Sequence, residues 1–319
     1  MKLNKLFEFF VQQGIRKDPR GIEGVKRLLD EKKADCEKLS KEEKEFFDVE
    51  TLSNPYPDSR ILNGSGSEEI SSIIVGVDME TPELLLAHAL RSSGKKIDLV
   101  LTHHPEGKAY ATFYNVMGVQ ADILHKEGVP LAAAESYTNS RMEEVSRKVL
   151  PQNHTRAVDA AKALNLPYMS AHTVADNQVA DFLQAAFDSK KPRYVKDVIK
   201  MLKEFPEYRE SAKIGAGPTL LLGKNENRAG KIFVDMTGGT EGAKELIEKL
   251  ADAGVDTMVC MHMSDDHYKE AQKNRLNVVI AGHISSDNLG LNLLLDSAEK
   301  EFGKLDVIEV SGFRRFRRI

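Results

Sequence analysis

Residues 73–104 read IIVGVDMETPELLLAHALRSSGKKIDLVLTHH, and residues 231–262 read KIFVDMTGGTEGAKELIEKLADAGVDTMVCMH. Each opens on a short β-branched apolar run, crosses a polar turn into residues of helical spacing, and closes on a second apolar run that ends in histidine. Strand, helix, strand in that order is a βαβ unit, the building block of a mostly parallel sheet. Laid one over the other, the two stretches place Asp98 on Asp256 and His104 on His262, both 158 positions later. This self-similarity predicts an α/β fold of two related halves. In the first copy, the Thr81 hydroxyl followed by Pro82 and Glu83 reads as a capped helix start, and Gly94 as its stop.

Working outward, residues 1–50 are rich in Lys, Glu, Leu and Phe at helical spacing and predict an N-terminal helical segment. Residues 51–69 shift to Ser, Asn, Pro and Gly and read as a linker. The first α/β half then runs over 70–190 and the second over 191–319, closing on the strand-like LDVIEV. The stretch from Lys190 to Gly230 is too short to hold an inserted domain.

The 319 residues carry 45 basic and 49 acidic side chains, a net charge of -4, so nothing global favours nucleic acid or an anionic membrane. No apolar run approaches the roughly 18–20 residues of a membrane span, and Glu8 interrupts the only candidate leader. Two cysteines in no CxxC pattern exclude a thiolate zinc site and fit a cytoplasmic setting. A metal here has to be held by imidazole and carboxylate. The dense basic tail of Arg314, Arg315, Arg317 and Arg318 reads as a solvated end or a subunit contact.

Of nine histidines, several end apolar runs: LVLTHHP, YMSAHT, MVCMHM and VVIAGHI. In open α/β sheets those carboxyl ends line the ligand crevice. Two of them share a longer signature, His172 with Asp176 and Asn177, and His283 with Asp287 and Asn288. On a helix, residues i and i+4 face the same way, so each imidazole and its carboxylate can reach one ion. The competing role for the two aspartates is helix capping. With the dyad His103-His104, the set suits Zn, Fe, Mn, Co or Ni, and two ions about 3.5–4 Å apart would suit hydrolytic chemistry. His88, His125, His154 and His267 read as ordinary helix-face residues. His262 and His172 are candidates for proton transfer or for orienting a ligand. The run containing Gly238, Gly239 and Thr240 leads from a strand toward a helix and is a weak phosphate-binding candidate.

The LVLTHHP run, AHTVAD at 171–176 and NVVIAGHISSDNLGLNLL at 277–294 together resemble the Nif-three-like dinuclear metal-centre family, some members of which carry the name GTP cyclohydrolase I type 2. The resemblance spans most of 70–311 and leaves out the N-terminal helices. It implies that His103, His104, Asp176, His283 and Asp287 hold two divalent ions, with Asp176 bridging, and that the chain forms a homohexamer. Asp287 stands where the family usually has glutamate. The long spacing between the first two blocks contains a strand-like segment, VPLAAAESYTNSR, whose Glu135 is a rival ligand to Asp176. Two functions follow as expectations: a metal-dependent hydrolase acting on a small, nucleotide-like substrate, or a metal-binding scaffold acting through protein partners.

Overall fold

The computed structural model describes residues 1–318. Nine strands form two sheets: β1 (Arg60–Asn63), β2 (Ser72–Gly76), β3 (Leu99–Thr102), β4 (Tyr168–Ser170) and β9 (Asp306–Glu309) in one, and β5 (Thr219–Leu222), β6 (Lys231–Asp235), β7 (Val255–Cys260) and β8 (Asn277–Ile280) in the other. The orders β1-β4-β3-β2-β9 and β5-β8-β7-β6 share one plan, three parallel strands and an antiparallel edge, to which β9 adds a fourth parallel strand in the first sheet. The repeat extends to side chains. Asp98 Oδ2 accepts the backbone N–H groups of Ser71 and Ser72 at 2.9 and 3.0 Å, and Asp256 Oδ2 accepts that of Lys231 at 2.8 Å. In both halves an aspartate opening the second strand pins the start of the first.

The halves are interlocked. Helix Thr173–Lys190 follows β4 of the first sheet, yet Val179, Leu183 and Phe187 pack against Val234, Val259 and Val279 of the second. Helix His283–Phe302 follows β8, yet Leu291, Leu294 and Leu295 pack against Ile73, Val75, Leu99 and Leu101 of the first. The two helices meet at Gly290, where an added Cβ would stand 2.6 Å from the Ala175 carbonyl oxygen. Only glycine allows so close an approach of two backbones.

Several sequence expectations change. Residues 51–69 are not a free linker, since β1 lies within them and Tyr56, Asp58 and Ser59 are fully buried. Backbone pairing with β4 outweighs their turn-forming composition. The N-terminal segment is three helices, Leu3–Arg16, Gly21–Lys38 and Lys41–Phe46, and the first buries Leu3, Leu6 and Phe10 in the core of the first sheet. Strand β9 returns to pair with β2, so the second half does not close on itself. Glu80, not Thr81, caps helix Thr81–Ser92, in a reciprocal box with Glu83. The segment VPLAAAESYTNSR is helical, within Leu131–Val149, because its alanines and 3.6-residue spacing favour helix. The basic tail folds inward: Arg315 pairs with Asp296 and Glu299, Arg317 with Glu299, and Arg318 with Glu207.

Candidate metal centre

The carboxyl ends of β2, β3, β4, β6, β7 and β8 open onto one cavity of about 630 Å³. His103 and His104 leave β3 with their backbone N–H groups still on the β2 side, bonded to the carbonyls of Gly76 and Val77 at 3.1 and 2.9 Å. The ladder therefore fixes both residues before any ligand arrives.

Three of the imidazoles are oriented through Nδ1. His103 Nδ1 lies 3.2 Å from the Ala171 carbonyl, His104 Nδ1 lies 2.6 Å from Asp78 Oδ1, and His172 Nδ1 lies 2.8 Å from Asp58 Oδ2. A carbonyl or carboxylate partner assigns the proton to Nδ1 and leaves Nε2 as a lone-pair donor. His103 Nε2 then stands 3.4 Å from both Asp176 Oδ1 and Asp287 Oδ1. His104 Nε2 stands 3.6 Å from Asp287 Oδ2 and 3.4 Å from His283 Nε2, which is itself 3.6 Å from Asp287 Oδ2. Two sets of donor atoms gather within 4.8 Å: His103, His172 and Asp176; and His103, His104 and Asp287.

The carboxylates are oriented but unanswered. Asp287 is fully buried and neither oxygen receives a hydrogen bond, nor does Asp176 Oδ1. Capping is thereby excluded as the role of either aspartate. Burial alone raises a carboxyl pKa, but the His103 imidazole beside it holds Asp287 below the ordinary range. Burial would lower His103, and Asp287 and Asp176 outweigh it and raise it; the same contest, through Asp176 and Asp58, raises His172. His283 goes the other way, lowered by burial and by neighbouring imidazoles against the pull of Asp287. Buried carboxylate oxygens gathered with imidazole nitrogens at 3.4–3.6 Å could hold a metal ion.

The remaining sequence candidates divide. His262 lies on the cavity wall, its ring 5.0 Å from that of His283, and its Nδ1 is 3.5 Å from Glu241 Oε1. That contact raises the His262 pKa; Glu241, raised by burial, is brought down to about 2 by His262 and the Ser264 N–H. Glu135 is a correction: it is exposed on helix Leu131–Val149 and does not line the cavity, since a helix replaces the strand that would have aimed it inward. The phosphate reading of Gly238, Gly239 and Thr240 is corrected as well. The loop borders the cavity, but the carbonyls of Gly238 and Thr240 accept from Gln120 Nε2, both at 2.7 Å, and the next helix begins only at Leu246. No helix N-terminus stands behind it. His88, His125 and His267 are helical, and His154 sits in a turn against Tyr110.

The sequence reading passes over Asp58, Asp78, Glu106, Asp235 and Glu241. Asp78 and Asp235 end strands in the same manner as the histidines, and that signal would have found them. Burial pushes Asp235 up to about 6; burial and Glu80 push Glu106 up to about 7.

Fold and site together define an α/β protein of two interlocked halves with a candidate metal centre between them. The chain is 24% identical over 268 residues to the GTP cyclohydrolase 1 type 2 homolog of Pyrococcus horikoshii, covering 81% of this chain and 92% of that one. Among solved structures it is similar to a NIF3 superfamily protein from Sphaerobacter thermophilus, with a TM-score of 0.67 and 26% identity, over 80% of this chain and 91% of the other. No family model matches the chain. The two likenesses support the NIF3-like family that the three sequence blocks resemble, and the fold is of that kind. Among the described residues no helix is long and apolar enough to cross a membrane.

Proposed function

We propose that the chain is a dinuclear metal-dependent hydrolase whose ions are held by His103, His104, Asp176, His283 and Asp287. The observation that carries this reading is the set of three buried, unpartnered carboxylate oxygens on Asp176 and Asp287 facing the free Nε2 atoms of the histidines. Asp287 spans the two positions, one oxygen toward His103 and the other toward His104 and His283. Asp176 divides its oxygens between His103 and His172. This geometry supports Asp287, rather than the Asp176 that the resemblance implies, as the carboxylate that would be shared between two ions.

Divalent ions in such a set supply an electrophile and an acidified water. The protein's own residues do the rest. Asp78 and the Ala171 carbonyl hold the imidazole tautomers. His172, fixed through Nδ1 by Asp58, keeps Nε2 free to take or return a proton. His262 with Glu241 forms a second such pair on the opposite wall.

Protein purified without added metal should contain about two transition-metal equivalents per chain by elemental analysis. A panel of small phosphoesters and nucleotides assayed with and without chelator tests the activity. Chelator-insensitive turnover, or metal content unchanged in Asp287→Ala, overturns the reading. The same reading carries a homohexamer, which light scattering of the full chain checks.

A further inference from the structure

The signature shared by residues 172–177 and 283–288 ends on an asparagine, Asn177 after Asp176 and Asn288 after Asp287. One residue further along a helix points about 100° away. Neither asparagine lines the cavity, yet both are buried. Asn177 Nδ2 donates to the Gly14 carbonyl at 3.2 Å and to the Tyr56 hydroxyl at 3.3 Å, and its Oδ1 accepts from Thr237 Oγ1 at 2.6 Å. Asn288 Nδ2 donates to the carbonyls of Ile284 and Gly312 at 2.7 and 2.9 Å, and its Oδ1 accepts the Arg314 N–H at 2.6 Å. Each amide gives two bonds and takes one, which a carboxylate, having no proton to donate, cannot do.

Gly14, Tyr56, Gly312 and Arg314 all lie outside residues 70–311, over which the three blocks resemble the family. Asn177 therefore ties its helix to the N-terminal segment, and Asn288 ties its helix to the C-terminal tail. These anchors are themselves fixed. Tyr56 is fully buried and its hydroxyl donates to Asp18 Oδ2 at 2.8 Å, which Arg20 holds from the other side at 2.7 Å. Gln178, beside Asn177, adds a bond to the Gln13 carbonyl at 2.9 Å. In the tail, Asn292, one turn on from Asn288, donates to the Arg314 carbonyl at 2.9 Å and accepts the Phe316 N–H at 3.0 Å.

Asp176 Oδ1 and both oxygens of Asp287 accept no hydrogen bond from the protein. With no partner to aim these side chains, their placement follows the backbone of the turn that carries them, and a site of this kind tolerates displacements of only about 0.5 Å. We infer that Asn177 and Asn288 are positioning residues of the metal centre, locking the turn that bears Asp176 to the N-terminal helix and the turn that bears Asp287 to the C-terminal tail. The inference rests on the metal-centre reading and extends it: the two ends of this chain set the geometry of a site to which they contribute no ligand.

Ion affinity of the folded full-length protein is the readout, because lost packing alone lowers the stability of ion-free and ion-loaded forms alike and leaves the affinity where it was. Zinc titrated against a chelating indicator, well below each Tm, should bind Asn177→Ala and Asn288→Ala about tenfold more weakly than wild type, the low end of what losing support around a metal ligand costs. Asn277→Ala is the control. Asn277 is buried too, donating to the Asp256 carbonyl at 3.1 Å and accepting from Asn227 Nδ2 at 2.8 Å, but it opens β8 at the end of the sheet away from the cavity. Its loss should lower Tm and leave zinc affinity unchanged. Tyr56→Phe removes only the hydroxyl that Asn177 and Asp18 share, and should weaken zinc binding by a smaller factor in a protein that still folds. Wild-type affinity in either folded asparagine variant, or an equal loss in Asn277→Ala, overturns the inference. If the alanine variants do not fold, wild-type affinity in Tyr56→Phe overturns it. Wild-type protein that binds no zinc overturns the metal reading instead.

Discussion

Asp287 shows how much one residue can carry. It is fully buried, accepts no hydrogen bond, and touches imidazoles from both halves of the fold. Asp287→Ala should abolish ion retention. Asp78→Asn, which removes only the partner of His104 Nδ1, should weaken affinity by about 10–100-fold, the usual cost of losing an outer-sphere partner. Equal effects of the two substitutions in a metal titration would contradict this division of roles. Asp235 gives a pH signature. Its carboxyl, raised by burial from 3.8 to about 6, disfavours the ionised form in the folded protein, so the cost to stability grows as pH rises from 3.8 through 6 and is absent below 3.8. Asp235→Asn should therefore stabilise by about 1–3 kcal/mol at neutral pH and have no effect near pH 3.5, measured by paired denaturant melts. At this scale the convergence of these histidines and aspartates on one cavity was legible because strand ends and an i, i+4 repeat are local patterns. Asp58 was not, because it reaches His172 across 114 residues of chain.

Between residues and the whole stand the two long helices that carry Asp176 and Asp287. Their separation is set at Gly290, where any Cβ meets the backbone of Ala175 and cannot be relieved by rotating a side chain. Gly290→Ala should cost about 1–3 kcal/mol as an overpacked contact. It should also weaken ion binding, because spreading these helices moves the two carboxylates apart. Gly118→Ala, where an added Cβ meets nothing within 4 Å, is the control and should change neither quantity. Unchanged ion affinity in a destabilised Gly290→Ala protein would separate packing from the site. The βαβ repeat was readable at this level, down to the paired roles of Asp98 and Asp256. The crossing of each half's last helix onto the other half's sheet was not, because an apolar helix face specifies burial without naming the sheet that supplies it.

Over the whole molecule, the boundaries drawn from composition dissolve: the first helix, β1, β9 and the arginine tail all tie distant chain segments to the two sheets. Composition could not reveal this, since pairing partners for Arg60–Asn63 and for Arg318 lie far along the chain. The proposed ion ligands follow the same plan. His103, His104 and Asp176 come from the first half, and His283 and Asp287 from the second, so an ion held between them would crosslink both. Binding to the folded state alone stabilises by RT ln(1 + [L]/Kd), about 2.7 kcal/mol per ion at a hundredfold excess over Kd. Because both halves share the ligands, that gain should appear as a single cooperative shift of several degrees in Tm, with no separate transition left at the metal-free temperature. Calorimetry of chelated and reloaded protein measures it, and Asp287→Ala should keep the metal-free Tm within a few degrees while losing the shift. Two transitions, of which only one responds to metal, would mean that the halves unfold independently and that the ions belong to one of them.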